Sequence, residues 1–272
     1  MNVRSTQEGR QSAMKIVVLV KQVPDSGAER NLRADDNSVD RASANNVINE
    51  MDEYAIEEAL RLQEAHGGEV TVLTMGPERA TESIRKALSM GPDGAVHVLD
   101  DALPGSDYLA TSRVLAAAIG TLSPDLVICG AEATDARGQV MAHMLAERLG
   151  FAALTGARKL TVDGSQLTVE RQTEEGYEVV TAATPAVVSV WDTINEPRYP
   201  SFKGIMAAKK KPVDTKSLAD LGVSADQVGW SGAATTVLSH SKRPARSAGV
   251  KVTDSGEGGV ALVDYLSSEK FV

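Results

Sequence analysis

Between residues 14 and 149, short apolar runs alternate with longer segments whose apolar positions recur at helical spacing. Residues 16–20, Ile-Val-Val-Leu-Val, form a continuous run without polar alternation. That is the pattern of a strand covered on both faces in a parallel sheet, and we expect it to be the central strand. The segment 50–66 follows Asn49, sets Ala55, Ala59 and Leu62 on one helical face, has acidic residues in its first turn and stops at Gly67-Gly68. It predicts a capped helix. The alternation continues with a strand over 70–75, a break at Gly76-Pro77, a helix over 80–89, a strand over 95–99, a helix over 107–119, a strand over 126–129 and a helix over 140–149. Strands alternating with amphipathic helices build right-handed βαβ units, so the fold class expected is α/β, a doubly wound and mostly parallel sheet.

Two stretches depart from this rhythm. Residues 21–46 are polar and irregular, with Asp35-Asp36-Asn37 as a turn signal, and predict a long excursion that folds as a small hairpin. Residues 159–162, 166–171 and 177–190, separated by the turns Asp163-Gly164 and Glu174-Glu175-Gly176, read as antiparallel strands added to the core. From Trp191 onward the patterning fades among Pro197, Pro200, Pro212 and Pro244, leaving short helical candidates at 218–228 and 260–267. The organisation expected is a disordered or mis-assigned lead-in over 1–13, with Met14 as the true start, then an α/β domain over 14–211 and an extended C-terminal arm over 212–272. An arm without a core of its own has to dock on something else.

Composition narrows the function. A chain of 272 residues, 42% of them hydrophobic, accommodates one large α/β domain with extensions. A formal charge of −9 excludes a broad electrostatic surface for nucleic acid, so any anion site is local. The single cysteine, Cys129, excludes an intrachain disulfide framework and a multi-cysteine metal cluster, and fits a cytoplasmic location. No apolar run reaches the roughly 18–20 residues of a spanning helix, and the first residues lack the apolar core of a signal peptide. Direct membrane insertion is not expected.

Candidate chemistry lies at strand ends, because in open parallel sheets ligands collect beyond the carboxyl edge, where loop amides and helix N-termini converge. Three segments leave strands toward that edge: the loop after Val20, Met75-Gly76-Pro77, and Gly130-Ala131-Glu132-Ala133-Thr134-Asp135-Ala136-Arg137-Gly138-Gln139. The last carries two glycines, a hydroxyl and an arginine at a helix entrance, which suits donation to a phosphate. It also suits an ordinary strand-to-helix turn, and Asn49 also suits a plain N-cap. No Gly-x-Gly-x-x-Gly, P-loop or Gly-x-Ser-x-Gly signature stands at a strand end, and His66, His97, His143 and His240 lack metal-ligand spacing. No catalytic centre is expected.

The run 169–180, Val-Glu-Arg-Gln-Thr-Glu-Glu-Gly-Tyr-Glu-Val-Val, with Thr184-Pro185-Ala186-Val187-Val188-Ser189, resembles the signature of electron-transfer flavoprotein β subunits. So do Val20-Lys21-Gln22-Val23-Pro24-Asp25, Glu57-Glu58-Ala59-Leu60-Arg61-Leu62, the stretch 84–91, Asn195-Glu196-Pro197-Arg198-Tyr199, and Gly204-Ile205-Met206-Ala207-Ala208-Lys209-Lys210-Lys211. The resemblance extends from Met14 to the C-terminus.

It implies a heterodimer in which an α subunit holds the redox-active FAD and this chain buries an AMP that does no redox chemistry. Electrons then pass from acyl-CoA dehydrogenases, as in fatty acid β-oxidation, toward a quinone-linked oxidoreductase. The resemblance implies an electron-carrier subunit, not an enzyme. The AMP pocket implied comprises Leu19, Asn49, Glu50, Met51, Asp52, Met75 and the loop Gly130 to Gln139. The partner-recognition loop implied is 195–211, with Phe202 as its apolar anchor beside Ile205 and Met206; the bland alternative has Phe202 filling a core gap. Lys209-Lys210-Lys211 reads as a solvated run or as a steering patch. Many relatives have a longer, more acidic version of the loop ahead of Gly138-Gln139, a glutamate where Gln172 stands, and in some cases a tyrosine at Ser26. A subgroup holds a second FAD in place of AMP, and we expect AMP here. An adenine-nucleotide-dependent enzyme would need a phosphate loop after the first strand, where Lys21-Gln22-Val23-Pro24-Asp25 stands instead. A free-standing nucleotide sensor leaves the arm without a surface to order it.

Overall fold

The computed structural model describes residues 13–29, 31–246, 249 and 251–272; the lead-in expected over 1–13 lies outside them except for Ala13. The strands are β1 (Met14–Leu19), β2 (Gln22–Pro24), β3 (Asn46–Ile48), β4 (Gly68–Met75), β5 (Gly94–Val98), β6 (Leu126–Gly130), β7 (Ala152–Asp163), β8 (Gln166–Gln172), β9 (Tyr177–Ala183), β10 (Ala186–Val190) and β11 (Val213–Lys216). The helices are α1 (Glu50–His66), α2 (Thr81–Met90), α3 (Tyr108–Leu122), α4 (Met141–Leu149), α5 (Phe202–Ala208), α6 (Gly229–Gly232) and α7 (Gly258–Ser268).

Nine strands form one sheet in the order β11-β5-β4-β1-β6-β10-β7-β8-β9. The first six interfaces are parallel, and β7-β8-β9 add an antiparallel meander. Successive residues of β1 feed opposite faces. Ile16 and Val18 join α1 and α2 in one core, while Val17 and Leu19 join α3 and α4 in the other. Burying each such side chain contributes about 1.5–3 kcal/mol, which is why β1 contains almost nothing but aliphatic residues. From β1 the chain proceeds to β4 on one side, while β6 pairs on the other. The gap between the carboxyl ends of β1 and β6 is therefore the switch point of the winding.

The expectation for residues 177–190 is corrected in part. β9 is antiparallel, but β10 runs parallel between β6 and β7, in the middle of the sheet, with all five residues buried. β7 is also longer than the 159–162 expected: its first half pairs with β10 and its second half with β8. It bends near Gly156, whose φ of +73° lies in the left-handed region and whose amide donates to Ser189 Oγ at 3.0 Å. The excursion over 21–46 closes as expected, β2 pairing antiparallel with β3 and Leu32 bridging Val39.

Residues 213–238, assigned from sequence to the arm, belong to the first of two compact units, which ends at Leu238. β11 pairs with β5 at the sheet edge, and Leu218 and Val228 are buried in the α3–α4 core. The helix expected over 218–228 is instead a turn followed by one 3-10 turn at Ala225–Gln227. The second unit, Ser239–Val272, contains α7, whose Val260, Leu262, Val263 and Tyr265 are exposed. Among the described residues no helix is long and apolar enough to cross a membrane.

Candidate functional site

Leu19 ends β1, Met75 ends β4 and Gly130 ends β6, so the three strand-end positions singled out from sequence lie along one edge of the sheet. The start of α1 closes against them. Gly130 faces Met51 and Asp52 so tightly that a Cβ there would lie 2.5 Å from Met51 Cβ and 2.8 Å from Asp52 Oδ1. Glycine is required at 130 by this approach of helix to loop.

Asn49 occupies the N-cap position of α1, yet its side chain makes no cap hydrogen bond. Its Nδ2 donates to Asp52 Oδ1 at 2.9 Å and to the Glu132 carbonyl at 3.0 Å, and its Oδ1 accepts from the Thr134 amide at 3.1 Å. The plain N-cap alternative is thereby excluded: this amide is the clasp between α1 and the 130–139 loop. Asp52 is buried and its Oδ2 accepts the Lys21 backbone amide at 2.7 Å. Burial pushes its carboxyl up to about 7, against the opposing hydrogen bonds from Asn49 and Lys21.

Above this clasp, Lys21 Nζ lies 2.8 Å from Asp135 Oδ1, and Arg41, from the excursion, pairs with the other Asp135 oxygen. Burial alone would raise the Asp135 carboxyl, but Lys21 and Arg41 outweigh it and hold the group below the ordinary carboxylate range. The guanidinium of Arg79 reaches the Arg41 carbonyl, and Gln22 Nε2 donates to the Arg79 carbonyl at 3.1 Å. Across the loop, Gln139 Nε2 donates to Glu132 Oε2 at 2.8 Å. Arg137 and Gln139 have left-handed backbone, with φ of 50 and 53°. Such residues are costly in an ordinary loop, and the Arg137 amide is engaged within it, donating to the Ala133 carbonyl at 2.8 Å. The hydroxyl oxygens of Thr134 and, on β4, Thr74 are buried without a hydrogen-bond partner. Buried unpaired hydroxyls are costly, and the Asn46 and Asn195 side-chain oxygens share that state elsewhere in the fold.

Of the expected pocket residues, Asn49, Met51, Asp52, Gly130, Glu132, Thr134 and Asp135 come together directly. Glu50 is exposed, accepting from Ser26 Oγ at 3.0 Å. Ala131, Ala133 and Ala136 contribute backbone to the loop. Lys21 lay in a segment already noted, whereas Arg41, Arg79 and Thr74 carried no local signal, since their roles arise from contacts across the fold. Tyr108, at the start of α3, was also missed; a Cβ on Gly138 would lie 2.1 Å from its hydroxyl oxygen. Burial first, and then Asp135, raise the Tyr108 hydroxyl above its ordinary value.

The segment 195–211 is built in two layers. Asn195 Nδ2 donates to the Tyr54 carbonyl and to Glu58 Oε2, both at 3.1 Å. Arg198 grips Glu57 at 2.7 Å and Glu64 at 2.6 Å on α1. Burial would raise Glu57, but Arg198 and Arg61 hold it below the usual range. These side chains face inward. The outer layer is Tyr199, 93% exposed, Phe202, 80% exposed, and the exposed Ile205 and Met206, mounted on α5 with Ser201 as its N-cap. Phe202 therefore does not fill a core gap. Glu196, exposed, and Pro197, half-buried, lie in irregular backbone between Asn195 and Arg198. Lys211 is not part of a solvated run, because its Nζ donates to the Leu88 and Gly91 carbonyls at the end of α2, at 3.2 and 2.6 Å, and burial lowers its pKa. Lys209 and Lys210 are exposed.

Fold and site together define a doubly wound α/β protein with a polar crevice at its switch point and a rigidly backed apolar display beside it. A family profile described as the electron transfer flavoprotein domain matches residues 36–221, more than half of the chain. The chain is 51% identical over 263 residues to the electron transfer flavoprotein subunit beta of Mycobacterium tuberculosis (strain H37Rv), covering 94% of this chain and 99% of that one. The same identity and coverage hold for the protein of that name from Mycobacterium leprae (strain TN). The Megasphaera elsdenii protein of that name is 37% identical over 269 residues, covering 95% of this chain and 98% of its own. The chain belongs to the electron transfer flavoprotein β-subunit family, and its role is in electron transfer.

Proposed function

We propose that this chain is the β subunit of a cytoplasmic heterodimer in which it holds AMP as a structural nucleotide, while FAD bound mainly by an α subunit carries the electrons. Electrons enter from acyl-CoA dehydrogenases and leave toward a quinone-linked oxidoreductase. The observation that carries the nucleotide reading is the 130–139 loop: an unpartnered Thr134 hydroxyl, left-handed backbone at Arg137 and Gln139, and the α4 N-terminus following at Met141. These are the donors and the dipole end that a monoanionic or dianionic phosphate requires. Lys21 and Arg41 set a positive background around Asp135, and Asn49, braced by Asp52, ties the loop to α1. A nucleotide here supplies packing and charge, not redox chemistry.

The display of Tyr199, Phe202, Ile205 and Met206 supports dehydrogenase docking, since an exposed aromatic anchor on a fixed base gives a small interface most of its binding energy. The exposed apolar residues of α7 support docking of the second unit on the α subunit.

Co-expression with an electron transfer flavoprotein α subunit, purification, and chromatography of the extracted cofactors tests the proposal. One FAD and one AMP per heterodimer are expected. Two flavins, or a stable nucleotide-free monomer that ignores the α chain, would refute it.

A further inference from the structure

Asp107 does two things at once. Its Oδ1 accepts from the Ala110 amide at 2.9 Å and caps α3, while its Oδ2 accepts from the Ala234 and Thr235 amides at 2.9 and 3.0 Å and from Thr235 Oγ1 at 3.1 Å. Burial raises the carboxyl, but these donors outweigh it and keep the group charged to lower pH than an ordinary aspartate. A few residues further on, the Val237 carbonyl accepts from Asn37 Nδ2 at 3.0 Å. The stretch 234–237 thus joins two separate parts of the fold, the α3 N-terminus and the excursion.

Those two parts are the flanks of the 130–139 loop. Tyr108, next to Asp107, abuts Gly138, and Arg41, in the same excursion as Asn37, holds Asp135. Upstream, the stretch is rooted firmly: Val228 is fully buried and the Gly229 amide donates to Ser106 Oγ at 2.8 Å. Between these fixed points Thr235, Val237 and Leu238 are exposed, so the stretch is held by its hydrogen bonds and not by burial. A segment of that kind opens locally far more easily than the sheet beneath it.

We propose that residues 234–237 are a strap across the nucleotide crevice, latched on one flank by Asp107 and on the other by Asn37, and that its opening sets the rate at which the nucleotide leaves. Asp107, Thr235 and Asn37 are positioning residues in this account, and the inference rests on the AMP reading above.

The test uses the purified heterodimer loaded with radiolabelled AMP and chased with unlabelled AMP. Asn37→Ala removes one latch and Thr235→Val one of the three hydrogen bonds of the other, neither touching the α3 cap, and each is expected to speed label release by about twofold to tenfold, the range for losing one hydrogen bond. The reverse experiment pairs Asn37→Cys with Val237→Cys: oxidation is expected to slow release, and reduction to restore it. Hydrogen exchange at the Ala234 and Thr235 amides is expected to slow when AMP is bound. Release rates unchanged in all variants, from a parent that holds AMP, would overturn the strap alone. A parent heterodimer that holds no AMP would overturn the nucleotide reading and the strap with it.

Discussion

The side-chain amide of Asn49 donates to the carboxylate of Asp52 at 2.9 Å, one turn into the helix it precedes, and the same amide nitrogen holds the Glu132 carbonyl. Removing Asn49 strands three partners together. Asn49→Ala is expected to cost about 1–3 kcal/mol, the range for leaving buried polar groups unpaired. It should also lower the AMP content of the purified heterodimer. Chemical denaturation and cofactor extraction check both; full AMP occupancy at unchanged stability would show that the clasp holds nothing.

Asp52 makes stability depend on pH in a particular direction. Its folded value of about 7 lies above the ordinary aspartate value near 4, so the folded state binds the proton more tightly than the unfolded chain. Its contribution is complete below about pH 4 and is lost as pH rises toward 7. Asp52→Asn is expected to lower stability at pH 5 by about 1–2 kcal/mol, through an imperfect match to the Lys21 and Asn49 donors, and to flatten the decline between pH 5 and 8. Melting curves at unit pH steps measure this. Parallel pH profiles for parent and variant would rule Asp52 out as the titrating group.

Phe202 and Arg198 sit four residues apart and should behave oppositely. Phe202→Ala removes an exposed ring and is expected to leave the melting temperature unchanged while lowering kcat/KM for reduction by a partner dehydrogenase about tenfold or more. Arg198→Ala leaves the buried Glu57 with Arg61 alone and is expected to cost about 1–3 kcal/mol, lowering docking only as a consequence. Steady-state reduction assays alongside thermal melts separate the two, and equal effects of both changes on stability would contradict the layered reading of this segment.

The contact between Gly138 and Tyr108 predicts a coupled pair. Gly138→Ala is expected to destabilise by about 1–3 kcal/mol because the new methyl meets the Tyr108 hydroxyl. Tyr108→Ala in the same chain should restore much of the loss. A double-mutant cycle measures the coupling, and strict additivity would mean that the strain at 138 arises in the backbone.

The doubly wound core was legible because its determinants are local. Residues 16–20 state double-sided burial by being aliphatic throughout, and 50–66 state a helix by period and punctuation. The position of β10 was harder to read, since Ala186–Val190 follows β9 after a short turn and invites a hairpin reading. Its continuous apolar character was nevertheless the same signal as that of 16–20, and all five residues are buried. In the site, the strand-end loops were legible because topology alone brings them to one edge, whereas Glu50, Met51 and Asp52 entered only with the resemblance. Arg41 was not legible, because its partner Asp135 is far away in the chain and nothing around it marks an ion pair. Asn49 looked like a cap because its position is that of a cap; only the approach of the 130–139 loop turns its amide to other work.

β10 lies between β6 and β7 although it is made after both. A nascent chain that has produced β7 but not residue 190 therefore carries an open slot where two finished edges face each other with no strand between them. If those edges anneal directly, the later strand is shut out, and an all-aliphatic segment is left without a place in the sheet. The order of synthesis and the order in space conflict at this single slot, so β10 can enter the sheet only while β6 and β7 remain apart.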